Sequence, residues 1–223
     1  METNAIGDAL TRFVTAPIRV QTYKRLAYLL LAFPLGMAYF VGFTAGASTG
    51  IGLLVTLLGV PILLVTLLAA TAASGLEAYL ARALLDRDVP NPAVLEQLDE
   101  RSLTDPDGGY LAAVQRLLAE PTTWTSVAMV LLKFLYGIAA FVATVTAGSV
   151  VVALLSAPVA YDSPTTSYQV GRYGVDTLPE ALVAFGAGVV GLVVALNLLN
   201  ALAEVGGVVT ERLLRTDWRR TDA

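Results

Sequence analysis

Lys133 is the residue whose position could do chemistry. It interrupts an apolar stretch that begins near Ser126 and is otherwise free of charge up to Tyr161. If the stretch is helical, seven residues of rise put the ammonium roughly 10 Å inside it. A charge at that depth is costly, so it must pair, face a wet cavity or snorkel back to the headgroups on its long stem. Asn197, Asn200 and Glu204 approach the same depth from the opposite direction along the last apolar run. Their spacing of three and four puts them on one helical stripe. Such a set can hold two helices together or line a path for a solute, and a structural role is favoured over a catalytic one. The expectation is that the Lys133 ammonium reaches at least one of these three side chains, Glu204 first, with snorkelling as the alternative.

A second group of polar and aromatic residues lies between the third and fourth apolar runs, in "YDSPTTSYQVGRYGVDTLPE", residues 161–180. Tyr168, Arg172, Tyr173 and Asp176 are its candidate contacts for a lipid or ligand, with a lid over the helix ends as the bland alternative. Tyr168, Val170, Tyr173 and Val175 suit a short hairpin around "GRYG". Asp176 or Thr177 is placed to cap the helix that follows, with Pro179 in its first turn.

Other chemistry is excluded or rejected. The chain has no cysteine and no histidine, which removes disulfides, thiolate metal sites and the commonest general base. "GAGVVG", residues 186–191, matches the dinucleotide fingerprint, but that motif needs a preceding strand and a helix start facing water. Here it lies inside an apolar run. No phosphate loop, carboxylate cluster or nucleophile with its base is present. The expectation is a chain with no enzymatic activity, no cofactor, no metal and no nucleic-acid partner.

These residues are positioned by membrane-spanning helices. Apolar residues make up 56% of the chain and charged ones 14%, away from the balance of a soluble domain. Charge is absent from Leu26 to Leu76, from Phe134 to Tyr161 and from Ala181 to Ala203. One span needs roughly 20 apolar residues, and the first run would make a helix of about 75 Å, so it holds two spans. "AGASTGIG", residues 45–52, is the expected break. The third run, at about 50 Å, is one tilted or bent helix, and the fourth span is 181–203. Arginine and lysine cluster before the first span, between the second and third, and after the fourth, while the two remaining loops hold only Arg172. That bias places both termini and the middle loop in the cytoplasm and makes the chain a multi-pass protein of the cell membrane. The charged, amphipathic first 25 residues are not expected to be a cleaved signal peptide.

The chain also repeats itself. "LLAFPLGMAYFV" (30–41) returns 101 positions later as "LLKFLYGIAAFV" (131–142), with Ala32 replaced by Lys133. "LTRFVTAP" (10–17) parallels "VQRLLAEP" (114–121), Tyr23 parallels Trp124, and "LARALL" (80–85) has a looser counterpart in "VTERLL" (209–214). The reading is a single membrane domain over 1–223, all-α, of two parallel hairpin repeats at about 5–90 and 109–216, joined by a cytoplasmic connector at about 91–108. Amphipathic cytoplasmic helices flank the spans, for example Ile6, Ala9, Leu10, Phe13 and Val14 on one face and Leu76, Tyr79, Leu80, Ala83 and Leu84 on another. Ala38, Gly42 and Gly46 correspond to Ala139, Ala143 and Ala147, and Ala187, Gly191 and Ala195 repeat the spacing. Small residues four apart let backbones approach in lipid, so spans one and three are expected to pack through these ridges.

"LAYLLLAFPLGMAYFV", "GVPILLVTLL", "PTTWTSVAMVLLKFLYGIAAFV" and "VDTLPEALVAFGAGVVGLVV" together resemble the "putative sensor" membrane domain of haloarchaea and actinobacteria. The resemblance covers roughly residues 22–215. In that family the domain stands alone or precedes a histidine kinase module. It implies a four-span sensory or signalling module and supplies no binding residues. With no histidine to phosphorylate, this chain is expected to signal through a separate cytoplasmic or membrane partner, and a homo-oligomer is compatible with it. The alternative is a small transporter or the membrane subunit of one, with Lys133, Asn197, Asn200 and Glu204 along its pathway. The topology is checked with single cysteines at Ser102 and Thr166 and an impermeant maleimide on intact cells. Labelling is expected at 166 alone, and the reverse pattern would overturn the orientation.

Overall fold

The computed structural model describes residues 11, 13–56, 58–89, 121–162, 169–170 and 173–221. The middle connector, the helix expected to precede Pro121 and the first ten residues lie outside them. Four long helices carry the chain: α1 (Val20–Gly52), α2 (Gly59–Leu85), α3 (Pro121–Ala160) and α4 (Leu178–Thr221). All four are long and apolar enough to cross a membrane. A two-stranded antiparallel hairpin, β1 (Gln169–Val170) and β2 (Tyr173–Gly174), sits before α4. The chain is an all-helical multi-pass membrane protein.

The break between the first two spans falls later than expected. α1 runs through "AGASTGIG" and ends at Gly52, and the reversal occupies a 3-10 turn at Leu54–Thr56. The small residues serve close approach instead of interruption. A Cβ on Gly46 would strike the Thr66 side chain of α2, and one on Gly50 would strike Leu63. At the reversal the Gly59 N–H closes back on Leu53 O at 3.1 Å, and a Cβ there would strike backbone atoms of the turn. A short hairpin lies where the sequence around "GRYG" suggested one. α4 begins at Thr177, whose backbone O accepts the first helical bond from Ala181 N–H at 3.0 Å, while Glu180 reaches back to accept from Thr177 N–H at 3.2 Å, the returning arm of a capping box.

Two amphipathic segments are not separate helices. "LARALL" is the last turn and a half of α2, and "VTERLL" lies inside α4. Continuous backbone hydrogen bonding across the boundary is cheaper than a break, which would leave unpaired amides and carbonyls at both new ends. α2 stops at Asp86, the one non-glycine residue with positive φ (51°) among the described residues. An aspartate tolerates that left-handed turn, and the Arg87 N–H reaches back to Ala81 O at 3.4 Å.

Contacts divide the chain into two compact units. The first holds Met1–Leu26 and Val142–Leu202. Its core gathers Ala157, Val175, Ala181 and Ala184, so Val175 anchors the end of the hairpin segment. α3 and α4 approach most closely at Gly188, where a Cβ would come within 2.9 Å of Leu154 Cβ and 3.0 Å of the Leu155 amide nitrogen. The ridge of Ala187, Gly191 and Ala195 is displaced from that contact, and Gly191 is 4.0 Å from Val151.

The second unit holds Ala27–Phe141 and Ala203–Ala223. Here the duplicated phrase meets its own copy. A Cβ on Gly36 would lie 2.8 Å from Lys133 O, and one on Gly137 would lie 2.5 Å from Ala32 O. Gly36 and Gly137 are equivalent positions in the two copies, as are Ala32 and Lys133. Phe33 stacks on Phe141 at 4.5 Å, and Phe40 on Phe134 at 4.2 Å, again exchanging equivalent positions. The crossing of α1 and α3 therefore rests on two glycines that lie outside the expected ridge. A Cβ at Gly42 would meet no atom within 4 Å.

Gly36→Ala and Gly137→Ala should each destabilise the protein by about 1–3 kcal/mol, because the added methyl meets backbone that cannot yield cheaply. Gly42→Ala should be neutral. Thermal unfolding in detergent checks this, and equal tolerance at all three positions would remove the glycine crossing as a determinant of packing.

Candidate functional site

Lys133 faces inward at the α1–α3 crossing and is only 5% exposed. Its ammonium lies 2.5 Å from Glu77 Oε2 on α2 and donates to Tyr28 Oη on α1 at 2.9 Å. It also sits over the Tyr28 ring at 4.3 Å from the centroid and near the Tyr136 ring at 5.5 Å. Tyr28 and Glu77 are both 1% exposed. Three helices thus converge on one cation, and aromatic faces cover the side that carboxylate and hydroxyl leave open. The Tyr39 hydroxyl, from α1, also approaches the Glu77 carboxylate and hydrogen-bonds to it. A cavity of about 20 Å³, lined in part by Tyr28, Lys133, Tyr136 and Thr210, adjoins the cluster. It has room for one water.

The expected quartet of Lys133, Asn197, Asn200 and Glu204 is distributed over four settings. Glu204 accepts from Arg87 at 2.6 Å, and Glu211, two turns further along α4, accepts from the same guanidinium at 2.7 Å. The left-handed end of α2 places Arg87 there, and the hydrogen bond to Glu204 raises its already high pKa. Asn197 donates to the backbone carbonyls of Phe13 at 2.9 Å and Val193 at 2.8 Å. It thereby satisfies a carbonyl in the short helical stretch before Pro17. Asn200 donates to the buried Thr22 hydroxyl at 3.2 Å. All four side chains are hydrogen-bonded, but not as one cluster: Lys133 takes its carboxylate from α2, not from Glu204.

Glu77 was missed because the uncharged run closes at Leu76, which assigns the next residue to the amphipathic stretch on the cytoplasmic side. The signal that finds it is depth. α2 returns to the side from which α3 sets out, so a residue eight positions before the end of α2 meets one at the same depth in α3.

Of the outer-loop candidates, Tyr168 and Arg172 lie outside the described residues, and Tyr173 is described only as backbone of β2. Asp176 is exposed, and its N–H donates to Glu180 at 3.1 Å. "GAGVVG" is wholly inside α4 with no strand leading into it.

A chain with four helices long and apolar enough to cross a membrane, three of them joined at a buried ion pair, is a multi-pass membrane protein. It belongs to the "Putative sensor" family, whose model matches residues 28–214. No curated protein and no solved structure matches the chain.

Lys133→Met should leave Glu77 buried without its counter-charge and cost about 3 kcal/mol or more. Adding Glu77→Gln should recover much of that loss, whereas adding Glu204→Gln should recover none. Denaturant titrations in micelles measure all three variants. Recovery through Glu204, or strict additivity with Glu77, would dissolve the assigned pair.

Proposed function

We propose that the chain is a non-enzymatic membrane sensor or signalling module that acts through a separate cytoplasmic or membrane partner. It works in the cell membrane with both termini inside, as the distribution of arginine and lysine supports. Family membership supports the sensory class. The observation that carries the mechanism is the Lys133–Glu77–Tyr28 cluster, which couples three helices at one buried point.

A buried pair in low dielectric tolerates little displacement, because each charge loses its compensation when the other moves. A stimulus in the bilayer or at the outer loop that shifts the α1–α3 crossing must therefore move α2 as well. α2 leads directly into Arg87, whose two bonds to Glu204 and Glu211 pass the shift to α4. The cytoplasmic ends of α2 and α4 are the surfaces a partner would read.

An intramembrane lysine and glutamate also favour the second reading, a transporter or the membrane subunit of one, since such pairs mark ion pathways. Crosslinking pull-down from native membranes and flux assays in liposomes separate the two. The sensor reading expects a specific partner whose recovery falls in Lys133→Met, and no solute or proton flux from purified protein. Flux that disappears in Lys133→Met would replace it with transport.

A further inference from the structure

Within the second unit, α4 carries "VGGV", residues 205–208, two adjacent glycines inside a helix that continues unbroken to Thr221. Each glycine in a helix interior costs about 1 kcal/mol relative to alanine, so the pair is where this part of α4 bends most easily. Thr210 adds to the weakness, because its buried hydroxyl donates back to Gly206 O at 3.1 Å. Such back-bonding loosens the local ladder and often bends a helix.

Both glycines are occupied by side chains from other helices. A Cβ on Gly206 would strike the ring tip of Tyr136 on α3, whose ring lies beside the Lys133 ammonium. A Cβ on Gly207 would come within 2.8 Å of Arg87 Cδ and Nε, just past the end of α2. The guanidinium then reaches past the pair in both directions. Glu204 lies before the glycines and Glu211 after them, and the same group binds both, at 2.6 Å and 2.7 Å. A bend that opens this face of α4 must break one of those two bonds. Arg87 is therefore a splint across the weakest part of the helix. On the Tyr136 side the packing is incomplete, since the cavity of about 20 Å³ beside Lys133 reaches Gly206 and Thr210.

We propose that Gly206–Gly207 is a hinge in α4, held by the Arg87 splint and freed when the end of α2 moves away. The hinge stands on these contacts alone; its use as the output step rests on the sensor reading. In that role a shift of α2, which carries Glu77 and leads into Arg87, turns α4 from a rigid rod into a jointed one. The segment from Val208 onward is then what a partner reads. Two independent ion pairs would contribute separately, whereas a splint fails when either arm is cut.

Hydrogen exchange by mass spectrometry on the purified protein in micelles tests this, read in peptides covering 204–214 and, as a control, 28–41. Arg87→Ala should raise exchange in 204–214 by about tenfold, the scale of one charge-assisted hydrogen bond, and leave 28–41 unchanged. Glu204→Ala and Glu211→Ala should each reproduce most of that rise, and combining them should add little. Adding Gly207→Ala to Arg87→Ala, where the shortened side chain leaves room for the methyl group, should return exchange toward wild type. Unchanged exchange in Arg87→Ala, additive effects of the two glutamate variants, or a rise that Gly207→Ala does not reduce would overturn the hinge. Unaltered partner crosslinking in Arg87→Ala, with its exchange raised, would sink the output role and leave the hinge standing.

Discussion

A lysine inside a bilayer has few ways to remain charged, and the arrangement of this protein follows from the one it uses. Lys133 needs a carboxylate, which α2 supplies, and a hydroxyl, which α1 supplies. Desolvating an ammonium and a carboxylate together costs several kcal/mol per ion before their attraction repays it. The pair is therefore tolerable only where the helices are held close enough to exclude lipid and keep the geometry fixed. That requirement makes the crossing of α1 and α3 a condition for the site. Gly36 and Gly137 bring the two backbones together, and the two phenylalanine stacks fix their rotation.

The crossing also explains how a duplicated phrase can carry an unequal chemistry. Each copy offers a glycine to the other's backbone and a phenylalanine to the other's ring, so the shared residues build the contact. Position 32 in the first copy is a buried alanine, and the equivalent position 133 in the second is the charged one. A common frame can thus be kept by packing while a single substitution on one side makes the site. A second lysine in the first copy would be expected to need a carboxylate of its own.

How much of this was legible in the sequence depends on which force wrote each feature. Span number and helical class follow from the bilayer's thickness and its demand for satisfied backbone groups, and both are read directly from uncharged runs. The continuous third helix was legible for the same reason. The glycine-rich stretch at 45–52 misled because glycine serves two purposes in membranes, breaking helices and letting them touch, and only the partner's position tells which. The alanine and glycine ridges misled likewise, since small residues are frequent here and the contact lies at Gly36 and Gly137. Lys133 stood out as a burial problem, but its solution required knowing which helix returns at matching depth. Glu77, one residue past an uncharged run, fell in the amphipathic stretch assigned to the cytoplasmic side.

The junction has an order in time as well as in space. Synthesis runs from α1 to α4, so Tyr28 and Glu77 are already in the first hairpin before Lys133 is made. The carboxyl group enters the nascent protein without its counter-ion, and the first hairpin is a half-built site with an unmet demand. Arrival of α3 supplies the cation, and the same event docks Gly137 against Ala32. Charge neutralisation and helix docking are then one step of assembly, which makes the first hairpin a receptor for the second half of its own chain.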